Sequence, residues 1–428
     1  MLFEKADALL ERGNLKTAII CHFPEMLPPL KSFLFRLLKS KQLAGINSAR
    51  KPDRIVFERD VLENNGAYTR PRISPKRDIA VLQYTGGTTG TPKGAMLTHA
   101  NLTINIQQVD AWATNLGEEG EIGLGVLPLF HVFAMTTVLN FGVARGFEMV
   151  LVPKFDLDEV FKLIRKTRPT IFPGVPTLYN AILHHPKVNS TGLSSLKFCI
   201  SGGAALPAEV KRGFEALSGC SLVEGYGLSE TSPVATCNPV EGALTEGSIG
   251  IPLPATVISI RSIDRPEKEM PLGEDGEICI AGPQVMPGYW KKPNETKDAF
   301  TGKFFRTGDI GHMDKDGYIF IVDRLKDMIN ASGFNIYPRR IEEAIYEHEA
   351  VEEVTVIGVP DKYRGEAPAA YIKLRKGHSA TAEDILAFLK PKISKIEMPR
   401  DIEFRDDLPK TMIGKLSKKE LREEADGA

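Results

Sequence analysis

From residue 80 to about 260 the chain alternates short runs of Val, Ile and Leu with stretches of helical periodicity and Gly/Pro turns, the pattern of an α/β fold. Ile79-Ala80-Val81-Leu82-Gln83-Tyr84 reads as a strand, and Thr98-His99-Ala100-Asn101-Leu102 as the start of a helix. Met149-Val150-Leu151-Val152 precedes a helical stretch from Leu157 to Thr167, and Thr170-Ile171-Phe172 and Leu196-Lys197-Phe198-Cys199-Ile200 follow as strands. From about 245 to 323 the character changes to short strands and turns, such as Gly276-Glu277-Ile278-Cys279-Ile280 and Gly317-Tyr318-Ile319-Phe320-Ile321-Val322. The charged run Asp323-Arg324-Leu325-Lys326-Asp327 reads as a junction. Beyond it, Ile341 to Tyr346, Val354 to Val359, Ala369 to Leu374 and Ile385 to Leu389 carry their own apolar pattern. The expected organisation is a large N-terminal α/β domain over 1–323, with a β-rich part at about 245–323, and a small α+β domain over 324–428 on a hinge.

One early segment has a different pattern. Leu30, Phe33, Leu34, Leu37 and Leu38 recur at helical spacing with Lys31, Arg36, Lys39 and Lys41 between them. Residues 29–41 therefore read either as a basic amphipathic helix suited to peripheral contact with an anionic membrane or as an ordinary packed helix with snorkelling lysines.

Residues 84–94, Tyr-Thr-Gly-Gly-Thr-Thr-Gly-Thr-Pro-Lys-Gly, are too flexible and polar for a core. Gly86, Gly87 and Gly90 let backbone N–H groups turn inward as an anion nest. Thr85, Thr88, Thr89 and Thr91 add hydroxyl donors, and Lys93 adds charge. A Walker P-loop does not fit, because Thr91-Pro92 separates Gly90 from Lys93 and Gly94 stands where a magnesium-binding hydroxyl belongs.

Composition narrows the class. With 42% hydrophobic and 25% charged residues and a formal net charge of -1, the 428-residue chain reads as a globular protein with no nucleic-acid partner. Its start mixes both charge signs without a secretory apolar core, and no apolar run is long enough to span a bilayer, so a cytoplasmic location is expected. Cys21, Cys199, Cys220, Cys237 and Cys279 have no metal-ligand or redox spacing and read as reduced thiols.

Further motifs follow in order: Leu127-Pro128-Leu129-Phe130-His131-Val132-Phe133; Ser201-Gly202-Gly203-Ala204-Ala205-Leu206-Pro207; Glu224-Gly225-Tyr226-Gly227-Leu228-Ser229-Glu230-Thr231; Arg306-Thr307-Gly308-Asp309; Gly333-Phe334-Asn335-Ile336-Tyr337-Pro338; and Leu408-Pro409-Lys410-Thr411 with Gly414-Lys415. Together with the 84–94 loop and the 323–327 junction, this ordered set resembles the adenylate-forming superfamily of acyl-CoA synthetases, luciferases and peptide-synthetase adenylation domains. Within it the chain looks most like a bacterial long-chain fatty-acid CoA ligase. The resemblance is dense over about 78–424 and loose over 1–77.

The resemblance implies a large adenylation domain under a small mobile lid, with ATP, Mg²⁺ and coenzyme A as cofactor and co-substrates and a fatty acid as the acid. It assigns the 85–93 loop to the β- and γ-phosphates, Gly202, Gly203 and Ala204 to one face of adenine, and Tyr226 to the other, within the nucleotide-binding run Glu224, Gly225, Tyr226, Gly227 and Ser229. Glu230, helped by Thr85, would hold the metal. Asp309 would accept the ribose hydroxyls, with Arg324 supporting the sugar, although alone these residues read as a turn former and a solvated charge. His131, which alone reads as a core histidine, would lie beside the acyl carboxylate. Lys415 would reach from the lid to the carboxylate and α-phosphate, although alone it reads as one more lysine in a basic tail. Lys326 occupies the hinge position, and Gly333 matches the small residue that lines the pantetheine tunnel. The resemblance also admits a homodimer.

Three departures stand out. The phosphate loop begins 84 residues in, where the family has a longer preceding region, so a chain truncated at its start is expected. Arg340 stands where many members carry glutamate. Lys395-Ile396-Glu397-Met398-Pro399 replaces a more usual Tyr-Lys-Val-Pro. The expected activity is ATP-dependent conversion of a medium- or long-chain fatty acid to acyl-CoA through acyl-AMP, with release of pyrophosphate and AMP. The alternatives are an acyl-AMP ligase serving another carboxylate or a carrier protein, and a truncated nucleotide-binding remnant without turnover.

Overall fold

A computed structural model describes residues 2–40, 43, 49–63, 65, 66, 68–85, 92–117, 120–152, 155–190, 192–241, 245–411 and 414–426. The chain divides into two compact units, Met1–Ile73 and Ser74–Ala428. The first pairs strand Ala18–Ile20 in parallel with Ile55–Phe57 and carries helices Leu2–Glu11, Pro29–Leu38 and Glu58–Leu62. Pro29–Leu38 is thus helical, as its spacing predicts, whereas Lys41 lies outside the described residues.

The second unit is built on a seven-stranded sheet. Its spatial order is Ile251–Pro252, Val234–Cys237, Leu222–Gly227, Phe198–Ser201, Ile171–Gly174, Ile122–Gly125 and Glu148–Leu151. The last five run parallel, and the first two add antiparallel edges. Parallel strands are covered on both faces, which explains why Phe198-Cys199-Ile200 is continuously apolar and buried. Helix Leu157–Thr167 starts where Asp156 accepts the Glu159 N–H at 3.0 Å and ends at Arg168 in the left-handed region. Tyr179 fills the centre of the core, its ring edge-on to Phe172 and Phe214 and its hydroxyl donating to Phe172 O at 2.6 Å. Because that hydrogen bond satisfies the one polar atom, truncating Tyr179 to alanine would cost on the order of 3–5 kcal/mol.

A five-stranded, largely antiparallel sheet between Val257 and Arg324 follows, comprising Val257–Arg261, Gly276–Ala281, Phe300–Thr301, Phe304–Met313 and Ile319–Arg324. A last sheet, formed by Ile329–Ala331, Phe334–Ile336, Val351–Asp361, Gly365–Leu374 and Asp401–Phe404, packs helices Pro338–Tyr346 and Ala382–Leu389 over a separate core of Ile341, Ile345, Val356, Ile372, Ile385 and Leu389. The architecture is a large α/β domain with a small C-terminal α+β domain, as the residue pattern predicts.

At Lys93 and Gly94 the structure differs from the reading of a loop that runs on to the helix. Lys93–Thr98 is itself a strand, antiparallel to Ile79–Thr85 with Thr85 opposite Lys93. The reason is the alternation Ala95/Leu97, both fully buried, which needs a pleated strand ahead of helix His99–Trp112. Thr98 then caps that helix in a reciprocal box with Asn101.

Candidate active site

The parallel strands deliver many of the singled-out residues at their C-terminal ends, the side of such a sheet where ligands bind. Strand Ile122–Gly125 leads to His131, whose Nδ1 accepts the Phe133 N–H at 3.3 Å, leaving the ring hydrogen on Nε2. Burial and the nearby Lys415 ammonium lower the His131 pKa, keeping the imidazole neutral. Strand Phe198–Ser201 leads to Gly202, Gly203 and Ala204, with Gly203 at φ +81°. Strand Leu222–Gly227 carries Glu224, Gly225, Tyr226 and Gly227. A Cβ on Gly227 would stand 1.8 Å from Pro233 O, so only glycine permits the close approach that folds Ser229, Glu230 and Thr231 into the following turn.

Glu224 is opposite Ser201 in the sheet register and accepts the Leu206 N–H at 3.2 Å. Burial pushes its carboxyl up to about 7, against the opposing pull of Arg339. Asp309 and Arg324 come from two neighbouring antiparallel strands. Asp309 Oδ1 accepts from Arg324 Nε at 2.7 Å, and Oδ2 accepts from the Tyr226 hydroxyl at 2.6 Å. Tyr226 is therefore tied to the residue expected at the ribose.

Lys415 enters from the small domain. Thr411 and Lys415 close a turn in which Thr411 N donates to Lys415 O at 2.8 Å, and Thr177 Oγ1 of the large domain donates to Gly414 O at 2.8 Å. Burial, then Arg324, lowers the Lys415 pKa to about 8, while Asp309 and Asp327 pull it back up. Lys326, lowered by burial and by Arg324, is close enough to act on Lys415. Tyr226, Asp309, Arg324, Lys326, Lys415 and His131 thus form one electrostatic group.

A second group surrounds Glu230. Its Oε1 accepts from the Tyr289 hydroxyl at 2.8 Å, burial raises its pKa, and Lys93 and Arg324 act against that rise. The Lys93 ammonium lies 5.3 Å from the Tyr289 ring centroid. Strand Ile79–Thr85 packs against the 229–231 turn, and Thr85 stands opposite Lys93 in the strand register. Among the described residues no cluster of three or more His, Cys, Asp or Glu is placed to hold a metal. The donors present, a buried carboxylate and a hydroxyl, fit a hard divalent ion that draws its remaining ligands from phosphate and water. Gly86, Gly87, Thr88, Thr89 and Gly90 lie outside the described residues.

Gly333 is not drawn into either group. It sits at φ +82° on the exposed turn between Ile329–Ala331 and Phe334–Ile336, its N–H on Asn330 Oδ1 at 3.1 Å. Two residues of the site are absent from the sequence reading, Tyr289 and Thr177. The only signal for Tyr289 was an aromatic after a glycine turn, Pro287-Gly288-Tyr289, and for Thr177 there was none beyond a hydroxyl after proline.

This assembly, a crevice at the strand ends with a lysine delivered from a second domain, is that of an adenylate-forming enzyme. Residues 32–290 match the family of AMP-binding enzymes and residues 340–415 the AMP-binding enzyme C-terminal domain; the chain belongs to that family. It is 46% identical over 425 residues to a long-chain-fatty-acid–CoA ligase of Bacillus subtilis (strain 168), covering 99% of this chain and 76% of that protein. Its fold is similar to the crystal structure of ATP-bound MatB from Rhodopseudomonas palustris, with TM-score 0.82 and 31% identity over 98% of this chain and 81% of that one. It is equally close in fold to the anthranilate CoA ligase AuaEII in complex with anthranoyl-AMP, with TM-score 0.82 and 26% identity over 99% of this chain and 80% of that one.

Proposed function

We propose that the chain activates a medium- or long-chain fatty acid to acyl-CoA at the expense of ATP. The observation that carries this reading is the position of Lys415, held by the Thr177–Gly414 contact between the Asp309–Arg324 pair and His131. The identity to a fatty-acid ligase supports the choice of acid.

In the first step a carboxylate oxygen of the acid attacks the α-phosphorus of ATP, and pyrophosphate leaves. Lys415 neutralises charge on the carboxylate and α-phosphate, and neutral His131 turns its Nε2–H toward the carboxylate. Asp309 and Arg324 hold the ribose, Tyr226 and the 202–204 turn sandwich adenine, and Thr85 and Lys93 meet the outer phosphates with the loop between them. Glu230 with Thr85 would hold Mg²⁺, which neutralises the departing pyrophosphate when bound. In the second step the small domain turns about Lys326, withdraws Lys415 and brings Gly333 to the crevice, where the thiol of CoA gives its proton to solvent and its sulfur attacks the acyl carbon, breaking the acyl–phosphate bond and releasing AMP. The basic amphipathic helix Pro29–Leu38 supports contact with an anionic membrane.

The test is CoA-dependent AMP formation from ATP with acids from C6 to C18. Lys415→Ala is expected to reduce acyl-AMP formation by at least about 100-fold. If wild-type protein makes neither AMP nor pyrophosphate with any of these acids, the reading fails; an acyl-AMP that CoA does not discharge points instead to another acceptor.

A further inference from the structure

Helix Pro176–Leu183 follows the strand that ends at Gly174, and its inner face, formed by Leu178, Tyr179 and Ile182, is buried in the large-domain core. Its outer face carries Thr177, Asn180 and, at the C-cap, His184, spaced i, i+3, i+7 and hence stacked along one side. Each meets a different part of the small domain. Thr177 Oγ1 donates to Gly414 O at 2.8 Å, Asn180 Nδ2 to Glu352 O at 3.4 Å, and His184 Nε2 receives Arg375 Nη1 at 2.6 Å. The His184 contact has a fixed polarity. Nδ1 lies 2.9 Å from Asn180 O and so carries the ring hydrogen, which leaves Nε2 as the acceptor for the guanidinium. Arg375 is itself steered by Val351 O, which accepts its Nε at 2.9 Å, and by Glu209 at 3.4 Å.

We infer that the outer face of this helix is a docking rail that selects the lysine-in arrangement of the small domain, and that Thr177 is the positioning residue for Lys415. Thr177 is not among the residues assigned to the nucleotide or the acid; it holds the carbonyl of the residue immediately before the lysine. Because the turn is also closed by Thr411 N to Lys415 O, fixing Gly414 O fixes where the Lys415 backbone starts. Asn180 and Arg375 place the rest of the small domain, so the rail works only while the domain faces this way. The second half-reaction, in which the domain has turned, does not use it. The inference rests on the two-step reading above and adds to it a surface whose loss separates the two steps.

The experiment measures the half-reactions separately in Thr177→Val, which keeps the side-chain shape and removes the hydroxyl. With ATP and a C12 fatty acid, kcat for acyl-AMP formation is expected to fall about fivefold to tenfold, the worth of one interdomain hydrogen bond, with KM for ATP unchanged. With dodecanoyl-AMP and CoA supplied, thioester formation is expected to proceed at the wild-type rate. Thr177→Ser is expected to restore the first step, and Arg375→Ala to slow the first step while sparing the second. Equal slowing of both half-reactions by Thr177→Val, or no effect on either, overturns the inference while leaving the proposed function standing. Absence of acyl-AMP formation by wild-type enzyme overturns both.

Discussion

Asp309 and Arg324 are cross-strand partners whose side chains meet at 2.7 Å, so the register of two antiparallel strands sets the spacing of a carboxylate and a guanidinium at the mouth of the crevice. The pair proposed to hold the ribose also has an electrostatic part. Asp309, together with Asp327, offsets the mutual repulsion of Arg324, Lys326 and Lys415. Asp309→Asn is therefore expected to raise KM for ATP at least about tenfold and to weaken closure of the small domain as well. Steady-state kinetics in ATP check the first effect. Arg324→Lys, which keeps charge but loses the fixed fork, is expected to fall between wild type and Asp309→Asn.

In the proposed first half-reaction the Lys415 ammonium is expected to produce a pH limb. Its pKa is lowered to about 8, so the side chain is cationic below that pH and loses its charge as pH rises through it. Because kcat/KM reports the free enzyme, kcat/KM for ATP in acyl-AMP formation is expected to fall above about pH 8, approaching tenfold per unit. The stability sign runs the other way. A depressed lysine penalises the closed form fully below pH 8, and that penalty is relieved between 8 and the ordinary value of 10.5. Bound ATP adds negative charge beside the ammonium, so the limb in kcat is expected at higher pH. A kcat/KM profile flat to pH 10 would remove Lys415 from its role.

Glu224 offers a test through stability alone. Its carboxyl is raised from 4.5 to about 7 by burial, which means the folded protein holds the proton more tightly than the unfolded chain. No penalty exists below pH 4.5; it grows between 4.5 and 7 and is fully present above 7, at roughly 3 kcal/mol. Glu224→Gln keeps the acceptor for the Leu206 N–H and removes the charge. It is expected to raise Tm by several degrees at pH 8 and to leave it unchanged near pH 4.5. An equal shift at both pH values would mean that packing, not ionisation, is responsible.

The α/β class and the elements named from the sequence were legible because burial on both faces of a parallel sheet leaves continuous apolar runs, and because a threonine such as Thr98 ahead of its run announces a helix. Lys93 was misplaced into a loop because the glycines and threonines before it mask a strand whose alternation shows only at Ala95 and Leu97. Tyr289 and Thr177 were invisible for a different reason. Each acts through one long-range contact, with Glu230 and with Gly414, and a lone tyrosine or threonine carries no periodicity that announces a distant partner. Likewise, the family resemblance named Glu224 but gave no hint of its ionisation, which depends on what buries it.

Two of the places where the sequence departs from the family resemblance meet in the structure: Arg340 Nη1 lies 3.4 Å from Glu397 Oε1. Glu397 is the buried member, its other oxygen accepting the N–H and hydroxyl of Ser394 at 2.8 and 2.6 Å, whereas the Arg340 side chain is 64% exposed. Solvent screening on the arginine side keeps the coupling to about 1 kcal/mol. Arg340→Glu sets like charges together and is expected to destabilise the protein by about 1–2 kcal/mol. Glu397→Lys is expected to cost more, because it also removes the acceptor of the Ser394 N–H and hydroxyl. The double variant sets opposite charges together again and is expected to be less destabilised than the sum of the two single effects, by about 1 kcal/mol in chemical denaturation. If the two single effects simply add, Arg340 and Glu397 are not coupled and the two positions are independent surface changes.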